Sequence, residues 1–295
     1  IELDADTALT MFSFPRDKLA ALVDENQKIN ISIANSDPSK NFVANKPGIS
    51  GDIELVKSGA KYNIGYHIAL APGKFNRTKI VTFSSRYIVL NKTNVHIAVQ
   101  QAQNQMQAAM LHLEPGAKAN LYWTDANKPQ QISIAIPSQY EWSMPFSLNA
   151  LGEIPLKLTS KNYLAASLNS SNNNNNNNNN SSNEPCLLTV NVMQDLATIY
   201  VIITRPEKPP FIIANLLNCD IEIAQSGNNQ WWKVKRNGKL PYSWDNITGT
   251  SKLDIKIQVD SYQQELIQRY DINQVEKKQK RIILPKTKKT VYISI

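Results

Sequence analysis

An internal repeat constrains this chain more than any other feature of its sequence. Written one above the other, Ile88–Gln101 and Ile212–Gln225 are related by a shift of 124 residues and share five identical positions. The identical pairs are Ile88/Ile212, Asn91/Asn215, Asn94/Asn218, Ile97/Ile221 and Gln101/Gln225. A chain that repeats at such a period stacks similar units, each contacting its neighbours, instead of building one central core.

The repeat continues on both sides of this stretch. Further along the chain the shift falls to 121 residues, which places Trp123 over Trp244. Two more pairs of segments match, namely Ile132–Ile136 with Leu253–Ile257 and Gly51–Leu55 with Gly152–Leu156. We therefore predict four parts: the tail of a preceding repeat at 1–38, complete repeats at 39–140 and 141–260, and the start of a following repeat at 261–295.

Alternation of apolar and polar residues predicts an all-β fold. Four stretches alternate with a period of two, which buries one face of a strand and leaves the other in water. They are Ile29–Ile33, Ile132–Ile136, Leu187–Val192 and Leu253–Val259. Because clusters of turn-forming residues separate them, we predict tandem β-sandwich-like repeats that form an elongated array. The composition of Val99–Leu113 favours a helix, whereas the repeat favours strand–loop–strand there.

The stretch from Asn169 to Asn183 differs from the rest of the chain. It contains nine consecutive asparagines, Asn172–Asn180, among serines, and it has no apolar side chain to bury. Such a tract cannot offset the entropy of ordering its backbone. We expect a disordered insert within the second complete repeat, without a chemical role.

Charge and composition narrow the classes of function. The formal net charge is +8, and basic residues crowd the end of the chain. They are Lys277, Lys278, Lys280, Arg281, Lys286, Lys288 and Lys289. Such a cluster is typical of a solvated strand edge, and it also suits an anionic membrane surface. No aromatic residues interleave the basic ones as a base-stacking platform requires, so we expect no nucleic-acid partner.

Residues that carry catalysis or hold metals are scarce. The chain has two cysteines and three histidines, too few for a disulfide framework or a cysteine-rich zinc site. It lacks a phosphate-binding glycine motif, and no nucleophile has a neighbouring base with an orienting third group. We therefore expect no enzyme activity, no metal and no cofactor. The chain begins at Ile1 without a basic or apolar leader, which we interpret as a fragment without a secretion signal.

The repeated residues have two possible roles. Asn91 and Asn215 each stand between two apolar runs, where the amide can bond to neighbouring backbone and accept a positive φ. They either position the turn alone or hold a nearby edge in the shape that a binding partner needs. Trp123 and Trp244 are predicted to lie in the core of each unit, with the indole N–H bonded to a carbonyl.

A series of motifs resembles one known family. In chain order they are Thr78–Phe83, Arg86–Asn91, Trp142–Phe146, Pro210–Asn215 and Leu240–Asp245. This order resembles the adaptor-binding domain of the Vps-thirteen family, also called the SHR-binding domain, from about Thr78 to Val259. Ser85 stands where the family often has Pro, and Ala119–Trp123 is a loose version of the Leu-Pro-Tyr-x-Trp element that Leu240, Pro241, Tyr242 and Trp244 form.

The resemblance implies a function. Members are long bridge-like proteins that conduct lipids between organelle membranes at contact sites, and the adaptor-binding domain is an all-β array of six repeats. It recruits its parent from the cytoplasmic side by gripping Pro-x-Pro motifs of membrane-bound adaptors, mainly with the last repeats. Asn91 and Asn215 are then the repeat asparagines, and Pro241, Tyr242, Trp123 and Trp244 are repeat-core residues. The two units come from the middle of the array, so the fragment is either scaffold next to the peptide site or holds that site itself.

A strand edge offers a plain mechanism for Pro-x-Pro recognition. Proline keeps a peptide extended, the edge supplies backbone hydrogen bonds, and pockets accept alternate side chains. We expect any edge used in this way to lie beside an Asn-bearing turn. Two alternatives stay open: the repeats are purely structural spacers, or they form a peripheral module that binds anionic membranes.

Overall fold

Alternating side chains place most of the described residues in β-strands. The computed structural model describes residues 28–33, 36–44, 46–103, 110–161, 185–258, 265–272, 279–283 and 290–294. A short 3-10 turn at Gly73–Phe75 interrupts the strands. The all-β prediction is confirmed. The expected Asn-rich insert and the side chains of the C-terminal basic cluster lie outside the described residues.

The strands are numbered in chain order. The first eleven are β1 (Lys28–Ile29), β2 (Phe42–Val43), β3 (Ser50–Lys57), β4 (Ala60–Leu70), β5 (Lys79–Ser85), β6 (Tyr87–Asn91), β7 (Ile97–Gln101), β8 (Leu111–Leu113), β9 (Lys118–Leu121), β10 (Gln131–Ala135) and β11 (Phe146–Ser147). The others are β12 (Gly152–Leu158), β13 (Cys186–Asp195), β14 (Thr198–Thr204), β15 (Phe211–Ala214), β16 (Ile221–Gln225), β17 (Trp232–Val234), β18 (Lys239–Tyr242), β19 (Lys252–Gln258), β20 (Glu265–Asp271), β21 (Gln279–Ile283) and β22 (Thr290–Ser294).

The chain divides into two units. Unit 1 comprises the described parts of 1–132, 146–152 and 191–202, and unit 2 those of 133–145, 153–190 and 203–295. Unit 1 contains the three-stranded antiparallel sheet β3-β4-β5 and the antiparallel pairs β1-β2, β6-β9 and β7-β8. Unit 2 contains the four-stranded sheet β17-β16-β19-β20 and the pairs β15-β18 and β21-β22.

The repeat found in the sequence reappears in the strand registers. Tyr87 of β6 lies opposite Leu121 of β9, and their counterparts Phe211 and Tyr242 lie opposite each other in β15 and β18. The pair β7-β8 corresponds in the same way to β16-β17, residue for residue. Residues related by the shifts of 124 and 121 therefore occupy equivalent positions in the same arrangement of strands. The strands at either end of Val99–Leu113 favour the repeat over the helix there, and residues 104–109 lie outside the described part.

A third strand pairing recurs three times along the chain. Ile29 lies opposite Phe42 in β1-β2, and Ile132 lies opposite Phe146 in β10-β11. Leu253 lies opposite Tyr270 in β19-β20. Each pairing joins two strands that follow one another along the chain.

Each unit has an apolar cluster of its own. In unit 1, Phe42, Ala44, Ile53 and Ile68 are buried together. In unit 2 the buried cluster consists of Ile221, Ile223, Trp232, Val234, Leu240, Tyr242, Leu253 and Ile257. The alternating residues of β16 and β19, two paired strands of one sheet, supply one side of this second cluster, as their period of two predicts, and Leu240 and Tyr242 of β18 belong to the same cluster.

Candidate functional site

The turn after β6 is built around the side chain of Asn91. The Asn91 Nδ2 group donates hydrogen bonds to the carbonyls of Val95, at 2.8 Å, and Leu113, at 2.9 Å. Its Oδ1 accepts bonds from the backbone N–H and the hydroxyl of Thr93. The side chain is fully buried. One amide therefore ties the turn to β8 and leaves none of its polar atoms for an outside partner.

Asn215 makes corresponding bonds after β15, with one more to the carbonyl of Lys235 at 3.1 Å and without the hydroxyl bond, since Leu217 stands in the place of Thr93. Its Nδ2 donates to the carbonyl of Cys219 at 2.9 Å and to that of Val234 at 3.1 Å, and its Oδ1 accepts from the N–H of Leu217 at 3.0 Å. Cys219, Val234 and Leu217 are the repeat counterparts of the three residues that Asn91 contacts. Asn215 is also buried, with 1% of its surface exposed.

The two asparagines hold their turns through side-chain bonds and not through unusual backbone angles. Neither Asn91 nor Asn215 has a positive φ, although asparagine tolerates one. Because both amides are buried and satisfied, they can act on a partner only by positioning the backbone around them. The residue after Asn215 is the one that faces outward, since Leu216 is 82% exposed.

Gln101 and Gln225, which are identical in the repeat, form a second pair of links from side chain to backbone. Gln101 and Asp125 bond reciprocally: Gln101 Nε2 donates to the Asp125 carbonyl at 2.9 Å, and its Oε1 accepts from the Asp125 N–H at 3.0 Å. Gln225 and Asn246 repeat both bonds, each at 2.8 Å. The identity of Gln101 and Gln225 in the repeat was the signal for this link.

Two serines with matching bonds were not predicted from the sequence. Ser39 Oγ accepts from the N–H of Ile31 at 3.1 Å, and Ser143 Oγ accepts from the N–H of Ile134 at 3.0 Å. Each serine also donates its own N–H to the carbonyl of the same isoleucine, at 2.8 Å. Both serines stand three residues before a phenylalanine, which is the pattern that could have revealed them.

The predicted core tryptophans pack against aromatic rings. Trp123 is buried and meets Tyr87 edge-on, with ring centroids 5.5 Å apart. Trp244 is half-buried and meets Phe211 edge-on at the same distance. The indole N–H of Trp123 has no hydrogen-bond partner among the described residues, so the carbonyl expected for it is absent there.

The other two residues of the repeated element lie in β18. Tyr242 is fully buried, and burial raises the pKa of its hydroxyl, which Asp245 raises further. Pro241 is half-buried and lies opposite Ile212 of β15. Since proline has no N–H, β18 donates no backbone hydrogen bond at that position.

Unit 2 contains a buried ion pair that the sequence did not predict. Lys157 Nζ lies 2.7 Å from Asp245 Oδ1, and the two side chains are 0% and 8% exposed. The ammonium also lies over the rings of Tyr242 and Trp232, 4.1 Å and 4.8 Å from their centroids. Burial lowers the pKa of Lys157 to about 8, although Asp245 opposes this shift.

The strand edges beside the two asparagine turns differ between the units. In unit 1, β14 lies along β6, where the Ile199 N–H donates to the Arg86 carbonyl at 2.7 Å. Within the described part of unit 2, β15 pairs with β18 alone. Its outer side exposes Ile212, at 59%, and Ala214. The Asn215 turn therefore adjoins an edge that is open within the described residues.

The backbone of this edge presents alternate hydrogen-bonding groups. The Asn215 N–H donates to the Gly238 carbonyl at 2.9 Å, on the β18 side. Because successive residues of a strand point their backbone groups to opposite sides, those of Ile212 and Ala214 face away from β18. Within the described residues these groups have no strand partner, so an added strand would meet N–H and C=O groups at Ile212 and Ala214.

Among the described ranges, no three His, Cys, Asp or Glu side chains lie close enough together to hold a metal ion. A cavity of about 200 Å³ in unit 2 is lined by Met144, Asp245, Gly249 and neighbouring loop residues. It is smaller than the ~300–1,000 Å³ of typical small-molecule sites. Within the described part, no helix is long and apolar enough to span a membrane.

The fold and these turns define a class of protein, an all-β repeat domain whose candidate binding element is a strand edge. The family model described as "Vacuolar-sorting associated protein 13, adaptor binding domain" matches residues 4–249. The chain belongs to this family. The family expected from the sequence is thus confirmed, and adaptor binding and vacuolar sorting are the terms by which it is described.

Two similar proteins are intermembrane lipid transfer proteins. The chain is 24% identical to intermembrane lipid transfer protein vps13E of Dictyostelium discoideum over 264 residues, which are 86% of this chain and 6% of that protein. It is 22% identical to intermembrane lipid transfer protein VPS13 of Chaetomium thermophilum over 253 residues, 80% of this chain and 7% of that protein. The chain thus spans only a small part of the length of these relatives.

Proposed function

We propose that this chain is a protein-interaction module that recruits an intermembrane lipid-transfer protein to organelle membranes. Membrane-bound adaptors with Pro-x-Pro motifs are its partners, and contact sites between organelles are where it acts, on the cytoplasmic side. Membership of the adaptor-binding family supports the module, and the names of the relatives support the parent. Lipid conduction belongs to other parts of that parent.

The domain boundaries are part of this proposal. The recurrent pairing of β1-β2, β10-β11 and β19-β20 supports complete repeats at 39–140 and 141–260, flanked by parts of two others. In each repeat the asparagine fixes the turn at the end of one strand, Asn91 after β6 and Asn215 after β15, and of these two strands β15 has an edge that is open within the described residues.

The open edge of β15 is the single observation that carries the binding mode. An extended adaptor segment adds to β15 as a strand and bonds to the backbone of Ile212 and Ala214. Its alternate side chains pack on Ile212 and Leu216, which are 59% and 82% exposed. Its prolines turn their ring nitrogens away from β15, since these have no hydrogen to donate.

A peptide titration tests this binding mode. A labelled Pro-x-Pro peptide is titrated with the full chain and with its Ile212→Lys variant, and binding is followed by fluorescence anisotropy. The added charge is expected to weaken binding at least about tenfold, because it removes apolar contact at the edge. Val56→Lys, at a 52% exposed position of β3 in unit 1, serves as the matched surface control.

Each outcome has a clear meaning. Equal affinity of wild type and Ile212→Lys would show that the peptide does not use this edge. No binding to the wild-type chain would favour the spacer alternative. Flotation with anionic liposomes, in low and high salt, separates the membrane-binding alternative from both, because charge attraction to a lipid surface weakens as salt is added.

A further inference from the structure

Two histidines lie side by side on unit 1. His96 immediately precedes β7, and His112 lies in β8. Their rings stack with centroids 5.2 Å apart and planes 12° from parallel, and His112 Nδ1 lies 3.3 Å from His96 Nε2. His112 is exposed and His96 is half-buried, so solvent reaches the pair.

Unit 2 fills the same position with a different pair. The repeat counterparts of His96 and His112 are Asp220 and Lys233, at shifts of 124 and 121 residues. Lys233 Nζ lies 2.9 Å from Asp220 Oδ2. The hydrogen bond from Lys233 lowers the pKa of Asp220, and a backbone bond from Arg236 adds to this. The strand arrangement therefore brings these two positions together whichever side chains occupy them.

Two imidazoles can bind a transition-metal ion together, whereas a Lys–Asp ion pair cannot. Neutral imidazole nitrogens are good ligands for Zn²⁺, Ni²⁺ and Cu²⁺, whereas an ammonium group offers no lone pair. A tetrahedral Zn²⁺ ion bonded at about 2.0 Å to two such nitrogens holds them roughly 3.3 Å apart. The nitrogen separation in unit 1 already has this value.

We propose that His96 Nε2 and His112 Nδ1 bind a divalent transition-metal ion. Water or a carboxylate from a partner completes its coordination. The hydrogen between the two nitrogens gives way to the metal, and the neutral ring that carried it takes a hydrogen on its distal nitrogen by exchange with water, so that His96 carries its hydrogen on Nδ1 and His112 on Nε2. The site requires no part of the proposed adaptor binding.

The metal would reinforce the Asn91 turn. Asn91 Nδ2 bonds to the carbonyls of Val95 and Leu113, the residues adjacent to His96 and His112. A metal bridge between the two histidines therefore ties together the same two segments as the asparagine. Binding to the folded state alone stabilises that state, so unit 1 should open less often when the metal is present.

The test uses Zn²⁺ and site-resolved measurements on the full chain. Nitrogen-15 NMR of the histidine side chains should show both imidazoles changing on addition of ZnCl₂ at neutral pH, with the tautomers stated above. Hydrogen exchange in β7 and β8 should slow at the same time. His67, whose Nδ1 lies 2.8 Å from Ser50 Oγ, is the internal control and should not change.

Swapping the two units' side chains provides matched variants. The double variant His96→Asp with His112→Lys copies the ion pair of unit 2, so it should keep the fold and lose at least about tenfold in Zn²⁺ affinity. Adding Asp220→His and Lys233→His to it should move the site to unit 2. Zn²⁺ that leaves the two imidazole signals unchanged, or unchanged affinity in the double variant, would overturn the proposal. A swapped protein that gains no site would contradict the claim that strand register defines it.

Discussion

The two units make matching hydrogen bonds from side chain to backbone, whereas some of their contacts between side chains differ. Asn91 and Asn215 make matching bonds to backbone groups, and so do Gln101 and Gln225. In contrast, the His96–His112 contact of unit 1 becomes an ion pair in unit 2. Backbone positions are fixed by the strand arrangement, so a side chain that serves them is retained wherever that arrangement recurs.

The cores retain one contact between side chains and replace another. The edge-on pair of Tyr87 with Trp123 returns as Phe211 with Trp244. Lys157 and Asp245, however, form a buried pair, while the matched position in unit 1 holds Val56, which is 52% exposed. A contact between two side chains can thus be replaced without a change of topology, provided that both partners change.

The largest effect is expected at the repeat asparagines. Asn91→Ala and Asn215→Ala should each lower the free energy of unfolding of their own unit by about 4 kcal/mol, because several buried backbone groups lose their partners. Hydrogen exchange followed by mass spectrometry reports each unit separately. The matched controls are the exposed Asn94 and Asn218, where Ala should change stability by less than about 0.5 kcal/mol. A large cost in one unit only would break the comparison.

The buried ion pair comes next. Lys157→Met should destabilise unit 2 by about 3 kcal/mol, since it leaves the Asp245 carboxylate buried without its counter-charge. The double variant with Asp245→Asn should recover most of this loss. Val56→Met at the matched position should leave unit 1 unchanged. If the single and double variants were equally stable, the pair would have no structural role.

The glutamines are expected to matter less. Gln101→Ala and Gln225→Ala should each cost about 2 kcal/mol, because a reciprocal pair of bonds to one backbone residue is lost at a buried position. The same exchange measurement, on peptides from β7 and β16, gives both values. A cost confined to one glutamine would mean that the two links are not equivalent.

A pH dependence gives the smallest expected effect. The pKa of Lys157 is lowered to about 8 in the folded chain, so above that pH the unfolded chain binds more protons than the folded one. Raising the pH therefore favours folding, by about 1 kcal/mol between pH 8 and pH 9. The comparison of wild type with Lys157→Met/Asp245→Asn isolates this term. A difference that stays constant with pH would rule it out.

Most of the correct predictions about the fold came from the alternation of apolar and polar residues and from the internal repeat. The alternation in Ile132–Ile136 predicted β10, and the repeat correctly placed a strand on each side of residues 104–109. The identity of Asn91 and Asn215 marked the two turns before their bonds were known. These predictions succeed because strand periodicity and turn chemistry depend on neighbours along the chain.

Only the tertiary structure decided the remaining features. Lys157 stands in a short strand with apolar neighbours on both sides, and nothing near it in the sequence indicates that its counter-charge is Asp245, 88 residues later. The edge of β15, which is unpaired within the described residues, and the histidine pair likewise depend on which strands come to lie side by side. The sequence by itself determined the strands, their repetition and the turn residues, because these are local. The structure determined which charges are buried and which edge is exposed, because solvation depends on segments that are distant along the chain.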